Sequence, residues 1–418
     1  LGEGGQESGL SPIDSSYRPT RFADRVALAT GVDARLLAML GVLAAIGLLL
    51  EVLTDGIFLS PRNLFNLSSQ VAVVGIMASG MILVIVARQI DLSVGSQLGV
   101  ISVFGALLQT EVLTPGASAT WWLSSLAMLG AGLLIGLLQG ALVAYARIPS
   151  FVVTLGGLLF FRNAAYELNS GRTIAPLDAT FQMLGGGIDG TIGAFWSWVA
   201  GAAAILVVVA TMRRTRLRRQ RYGFPVRHKA MEAGMMLFWA AAIAAFVATM
   251  NGYRRPGTGQ AMGIAIPVLI LIGVTVAMIV LSRRHRFGRH IYAVGGDPES
   301  AQLAGIASRR VVVGVFALMG LLCGVAAIVV TARLNAGASA TGTMTELNVI
   351  AAAVVGGTSL AGGIGSISGG VLGALVMQSL ESGMILLGVS SPLQKMVLAA
   401  VLIVAVWFDM AWRRRVRA

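Results

Sequence analysis

Apolar runs of roughly 20 residues, the length a helix needs to cross the hydrocarbon core of a bilayer, recur along nearly the whole chain. Nothing else limits its fold so severely. The runs are continuous rather than alternating, so they imply helices and not a barrel. Of 418 residues, 56% are hydrophobic and 12% charged, too few polar groups to coat a water-soluble globule of this size. The expected fold class is therefore all-α: a polytopic helical membrane protein.

Spans are expected near residues 34–53, 69–87, 92–109, 122–146, 150–168, 194–212, 232–250, 263–282, 310–331, 365–388 and 391–410. Eleven crossings conflict with charge. Short Lys/Arg-rich loops stay in the cytoplasm, and an odd count would send either the tail "RRRVRA" or the basic loops 213–229 and 283–310 outside. A twelfth crossing fits at Glu346 to Leu360, which at 1.5 Å per residue gives about 22 Å of helix, short but usable beside other helices. About 12 crossings, some short or re-entrant, then place 24 of the 31 Lys and Arg in the cytoplasm, six outside and Arg162 within a span. Both termini are expected inside. The Gly- and Ser-rich residues 1–33, which lack a signal-peptide pattern, read as a mobile cytoplasmic tail. The transmembrane body covers 34–410, and 411–418 form a basic cytoplasmic tail.

The net charge of +13 falls in the gaps between apolar runs, which argues against nucleic acid as a partner and for the lipid bilayer. The single cysteine, Cys323, sits inside an apolar run and excludes an intrachain disulfide. His228, His285 and His290 lie in basic loops, so no HExxH metal site is expected. Glycines crowd "GGTSLAGGIGSISGG", but neither a βαβ context nor the phosphate-loop lysine accompanies them. Close helix packing accounts for them instead. A faint echo links residues 90–108 with 362–376, each turning from a cytoplasmic hairpin into a Gly/Ser-rich outward span; it is either a repeated half or a common packing device.

One polar segment stands apart. In "AVGGDPESAQLAGIASRR" (Ala293 to Arg310), Asp297 suits an N-cap, Pro298 the first helical position, Glu299 the positive end of the dipole and Gly305 the C-terminus. With Ser300 and Gln302 between them, Ala301, Leu303, Ala304 and Ile306 give this helix of under two turns more exposed apolar surface than a connector needs. It is either a docking knob for a protein partner or a helix lying on the lipid interface or tucked under the bundle.

Four segments, "FLSPRNLFNLSSQVAVVGIMASGMILVIVARQIDLSVGS", "FVVTLGGLLFFRN", "IYAVGGDPESAQLAGI" and "VVGGTSLAGGIGSISGGVLGALV", occur in an order that resembles the permease subunits of bacterial ABC sugar importers, the ribose, xylose, arabinose and galactose group. The resemblance runs from about Phe58 to the C-terminus, and the extra basic hairpin over 194–250 is similar to the xylose permease branch. It implies an inner-membrane subunit that pairs with a second permease, most simply as a homodimer, receives a monosaccharide from a periplasmic or extracellular sugar-binding protein, and is driven by a cytoplasmic ABC ATPase. It also implies that the segment Asp297 to Gly305 is the coupling helix. ATP and its magnesium would belong to that ATPase, and no cofactor is expected in this chain, which carries no GxxxxGK[ST] loop.

A conduit for a sugar needs polar groups that hold hydroxyls weakly. Gln97, Ser102, Asn348, Gln378 and Glu381 are the candidates for the pathway; Glu381 reads as the most interior acid, since buried ionisable groups are costly. Its alternative is a structural hydrogen bond or a partner such as Arg162. Glu51 and Asp409 lie near span ends and reach the interface. Two other readings compete: a proton-coupled sugar symporter, which would need a relay of buried acids or histidines, and a membrane-embedded transferase, for which the outer loops offer only Asp178, Asp189 and Glu346.

Twelve crossings place Lys395 outside and Tyr222 and Asp297 inside. With Cys323 replaced, Lys395→Cys is expected to react with an impermeant thiol reagent on intact cells, whereas Tyr222→Cys and Asp297→Cys are not. Labelling at Tyr222→Cys would reverse the threading.

Overall fold

A computed structural model describes residues 34–417 apart from 115, 225 and 227; the expected tail over 1–33 lies outside the described residues. The helices are α1 (Ala34–Leu53), α2 (Pro61–Val86), α3 (Val94–Leu107, prolonged by a π turn over Leu108–Val112), α4 (Thr120–Ala144), α5 (Ser150–Asn169), the short α6 (Ala179–Gln182), α7 (Gly193–Arg221), α8 (Lys229–Gly252), α9 (Ile266–Arg284), α10 (Arg286–Gly296), α11 (Pro298–Leu303), α12 (Ser308–Leu334), α13 (Thr345–Val355), α14 (Ile367–Leu386) and α15 (Ser391–Arg417). Each of the twelve expected spans coincides with a helix. Among the described residues, extended pairing is limited to isolated bridges such as Ile174 with Gly337. By length and composition α2, α4, α7, α8, α9, α12 and α14 can cross a membrane, and α1, α13 and α15 carry shorter apolar stretches.

Several boundaries move, for local reasons. Helix α2 starts at Pro61 rather than near 69, because Ser60 caps it by accepting a hydrogen bond from the Asn63 N–H and Pro61 fits the first turn. Helix α7 runs on through its arginines to Arg221, so most of the basic segment 213–229 is helix, and Arg216 pairs with Glu232 of α8. The polar stretch before Asp297 is not loop but α10. Helix α15 likewise continues through Arg417.

Helix α2 is apolar on all sides and forms the centre of the bundle; from Val71 to Ala87 its side chains are buried. Helix α12 crosses it with Met319 and Leu322 against Gly80. Both long helices are followed by a break and a short helix. After α2 the chain turns at Arg88 (φ +61°), runs non-helically to Ser93 and enters α3; after α12 it turns at Asn335 (φ +51°), runs to Met344 and enters α13. The start of α3 lies beside the middle of α12, with Cys323 Sγ 3.9 Å from the Val94 carbonyl, and it continues in the direction of α12, where Thr331 Oγ1 donates to Ser102 Oγ at 2.7 Å. Helix α13 starts against Gly95 of α3 and ends, through Gly356 and Gly370, near Ile82 of α2. The two short helices therefore diverge from one meeting point. Residues 90–108 and 362–376 open α3 and α14, and the sequence of long helix, break and short helix occurs in α2 with α3 and again in α12 with α13.

The glycine-rich segment packs as expected: Gly369 and Gly373 let α14 lie against the carbonyls of Gly356 and Ala352 in and beyond α13, where a Cβ would collide. Gly373→Leu should destabilise the fold by about 1–3 kcal/mol through overpacking, read as a lower unfolding midpoint in detergent. Gly41→Leu, at a position with open space around it, should not. Equal effects would refute the close-packing account.

Candidate functional site

The polar segment folds into two linked helices. In α10, Gly288, Ile291, Val294 and Gly295 form one buried stripe, the i, i+3, i+7 spacing of an amphipathic helix; that spacing was the missed signal in the sequence. His285 caps α10 by accepting from the Phe287 N–H at 3.2 Å. Asp297 then interrupts the run. It is extended, and its Oδ1 accepts from the N–H groups of Glu299 (3.0 Å) and Ser300 (3.2 Å), starting α11 in a new direction. Gly305 (φ +79°) ends α11: its N–H bonds to the Gln302 carbonyl at 2.9 Å, and the Ile306 N–H to the Ala301 carbonyl at 3.0 Å, the paired closure of a Schellman motif.

The exposed apolar patch is smaller than the sequence suggests. Ala301 is buried and Ile306 half-buried, because the Schellman turn folds them onto the bundle. Leu303 is 90% exposed, alongside exposed Gln302 and Ala304. Beside it lies a recess of about 410 Å³ lined by Phe287, His290, Ala304, Gly305, Ile306 and Arg310, among others. An exposed apolar side chain at the tip of a helix capped at both ends, beside a largely apolar recess edged by His290 and Arg310, is suited to seat in a protein partner.

The five polar candidates fall in three places. Asn348 of α13 and Gln378 of α14 both donate to Glu381 Oε2, at 3.5 and 2.8 Å, so these three meet and tie the two helices together. Gln97 is fully buried: its Nε2 donates to Ser93 Oγ (2.8 Å), Gln139 Oε1 (3.0 Å) and Asp91 Oδ2 (3.4 Å), while its own Oε1 has no partner. Ser102 is buried on Thr331. Glu381 is not the most interior acid. That is Asp91, 1% exposed, which accepts from the N–H and the hydroxyl of Ser93. Asp91 escaped notice because it lies in the break before α3, which folds back inside.

Arg162 is not a partner of Glu381. Its NH1 donates to the carbonyls of Ser339 (3.0 Å) and Thr341 (3.2 Å) and to Thr343 Oγ1 (2.9 Å), filling the break between α12 and α13. Glu346, read from sequence as an outer-loop acid, is 7% exposed at the start of α13, against Gly95. Its Oε2 has no hydrogen-bond partner.

The Asp297 carboxyl is held below the ordinary carboxylate range, first by hydrogen bonds from the Ser300 hydroxyl and N–H, then by the Glu299 N–H and the charge of Arg88. A depressed value means the charged cap is favoured in the fold; its contribution is present above the ordinary range and lost only as pH falls through the lowered value. Protection of the Ser300 amide, measured by hydrogen exchange against the unprotected rate at each pH, should be flat from about pH 8 to about pH 5. Asp297→Ala should remove that protection and Asp297→Asn should keep it. Protection that already fades at about pH 5 would contradict the cap.

The family model described as "Branched-chain amino acid transport system / permease component" matches residues 63–406. The chain is 36% identical over 384 residues to the xylose transport system permease protein XylH of Escherichia coli strain K12, covering 92% of this chain and 94% of that protein. It is 35% identical over 389 residues to the XylH of Haemophilus influenzae, with 92% and 98% covered. To the ribose import permease protein RbsC of Escherichia coli strain K12 it is 32% identical over 352 residues, with 84% and 87% covered. No solved structure matches this chain.

Proposed function

The chain belongs to the family of transport-system permease components, a multi-pass membrane protein, and from that premise we propose that it forms the translocation pathway of an ATP-driven importer for a monosaccharide, a pentose such as xylose. The observation that carries the reading is α11, a helix closed at both ends by its own residues and holding Leu303 90% exposed. Such a knob serves a separate subunit. A cytoplasmic ATPase takes Leu303 into a cleft, an external sugar-binding protein delivers the substrate, and a second copy of the chain completes the pathway. In this arrangement α10, α11 and the arginine-rich end of α7 face the cytoplasm, and both termini lie on that side.

Substrate passes between groups that hold hydroxyls briefly. Glu381 with Asn348 and Gln378 is the best placed of the polar candidates, since its carboxylate takes only amide hydrogen bonds and can exchange them for sugar hydroxyls. Gln97 and Ser102 act behind it by fixing α3 against its neighbours. Affinity for the sugar belongs to the external receptor, because a tight site in the membrane would stall release.

The purified chain alone should hydrolyse no ATP, and together with its ATPase and sugar receptor in proteoliposomes it should import pentose at the expense of ATP. Leu303→Glu should weaken ATPase association by roughly a hundredfold and abolish uptake, while receptor docking persists. ATP hydrolysis by the pure chain, or full uptake by Leu303→Glu, would sink the reading.

A further inference from the structure

Three segments far apart in sequence meet at the base of α11. The first is the end of α2, where Arg88 turns the chain in the left-handed region. The second is the end of α10, and the third is the turn between α13 and α14. They pack backbone on backbone. The Val86 carbonyl, left without an in-helix partner at the end of α2, accepts from the Gly363 N–H at 2.9 Å, and Gly295 lies so close to the same carbonyl that any Cβ would collide with it. Gly362 sits directly on the Arg88 side chain. From α10, Tyr292 donates its hydroxyl to the Gly365 carbonyl at 2.9 Å.

One side chain ties the set. Arg88 Nε donates to the Gly295 carbonyl at 2.7 Å and its NH2 to the Gly296 carbonyl at 2.6 Å. These belong to the last turn of α10, whose carbonyls have no partner within the helix and carry the negative end of its dipole. A planar guanidinium can hold two such carbonyls at once, where an ammonium would act as a point charge. The next residue, Asp297, is the cap that sets the direction of α11, and Arg88 also contributes to holding its carboxyl in the charged form. Arg88 thus fixes the site at which α10 stops and α11 begins.

We propose that Arg88 is a positioning residue of the transport cycle: its two-pronged hold on the end of α10 fastens the docking helix α11 to the inner ends of α2 and of the α13–α14 turn, so that a push on α11 moves all three as one body. The proposal rests on the reading of α11 as the helix that seats in the ATPase. Its physical content is that α2 and α13 belong to the two different long-helix units, so one clamp delivers the same displacement to both. Without the clamp, α11 would still dock through Leu303, but the end of α10 could swing and the motion would be lost.

The test compares wild type, Arg88→Ala and Arg88→Lys, each assembled with the ATPase and the sugar receptor in proteoliposomes. Arg88→Ala is expected to retain the ATPase in wild-type yield and to keep the basal rate of ATP hydrolysis, while sugar imported per ATP falls by about tenfold or more, the scale of a typical coupling between sites. Arg88→Lys should lie between the two. Uptake per ATP within twofold of wild type in Arg88→Ala would overturn the proposal. Loss of the ATPase from that variant would also overturn it, making Arg88 part of the docking surface, and so would failure to insert, making the contact one of assembly. A wild-type chain that neither retains the ATPase nor imports sugar would instead break the reading of α11 beneath it.

Discussion

Backbone N–H and C=O groups that leave a helix inside a bilayer have no water to turn to, and each one left alone costs several kcal/mol. This fold leaves the helix twice on the way from a helix end into the bundle, over 87–93 and 335–344, and much of its polar architecture answers that cost. In the first break, Thr154 Oγ1 donates to the Ile90 carbonyl, Ser150 Oγ accepts from the Ile90 N–H and Asp91 takes the Ser93 N–H. In the second, Arg162 serves the Ser339 and Thr341 carbonyls, Asn335 Oδ1 accepts from the Leu177 N–H, and Gly337 exchanges two backbone bonds with Ile174. Helix α5, which supplies Ser150, Thr154 and Arg162, is thus tied to both breaks. Of the residues read as pathway candidates, Gln97 alone touches a break, donating to Ser93 Oγ and Asp91 Oδ2.

The same constraint separates two kinds of polar residue. Gln97 and Ser102 are fully buried and bonded to neighbouring helices, so removing either would strand a partner in the dry interior. In the Asn348, Gln378 and Glu381 group, Gln378 is buried at 5% exposure while Asn348 and Glu381 are partly exposed. At the basic end of the molecule the logic reverses. Water is available there, and polar side chains set helix directions instead: His285 and Asp297 each start a helix by taking orphan N–H groups, as Ser60 does at the opposite end of α2.

The helical class, the twelve helical segments and the capped ends of α11 were legible because each rests on local pattern: run length, a Ser/Asp cap followed by proline, a glycine at the left-handed closure. Helix α10 was just as local, yet it passed for loop because its arginines and histidines outweighed the spacing of Ile291 and Val294. The burial of Ala301 and Ile306 was not legible, since it depends on what the Schellman turn folds them against. Nor was the placing of the acids. Glu381 sits in the middle of an apolar run and looks innermost, while Asp91 and Glu346 look like loop residues until α3 and α13 are seen to start inside the bundle.

By itself the sequence determined that this chain is a bundle of membrane helices with a short capped helix, a leucine at its tip, between two of them, because hydrophobic run length and capping chemistry act over a few residues. The tertiary structure decided which polar groups meet. Arg162 reaches carbonyls of residues 339 and 341 and Arg88 reaches those of 295 and 296, partners nearly two hundred residues away or more. Such pairings are dictated by where a broken backbone needs a donor in a dry interior or at a helix end, and that need exists only once the helices are packed.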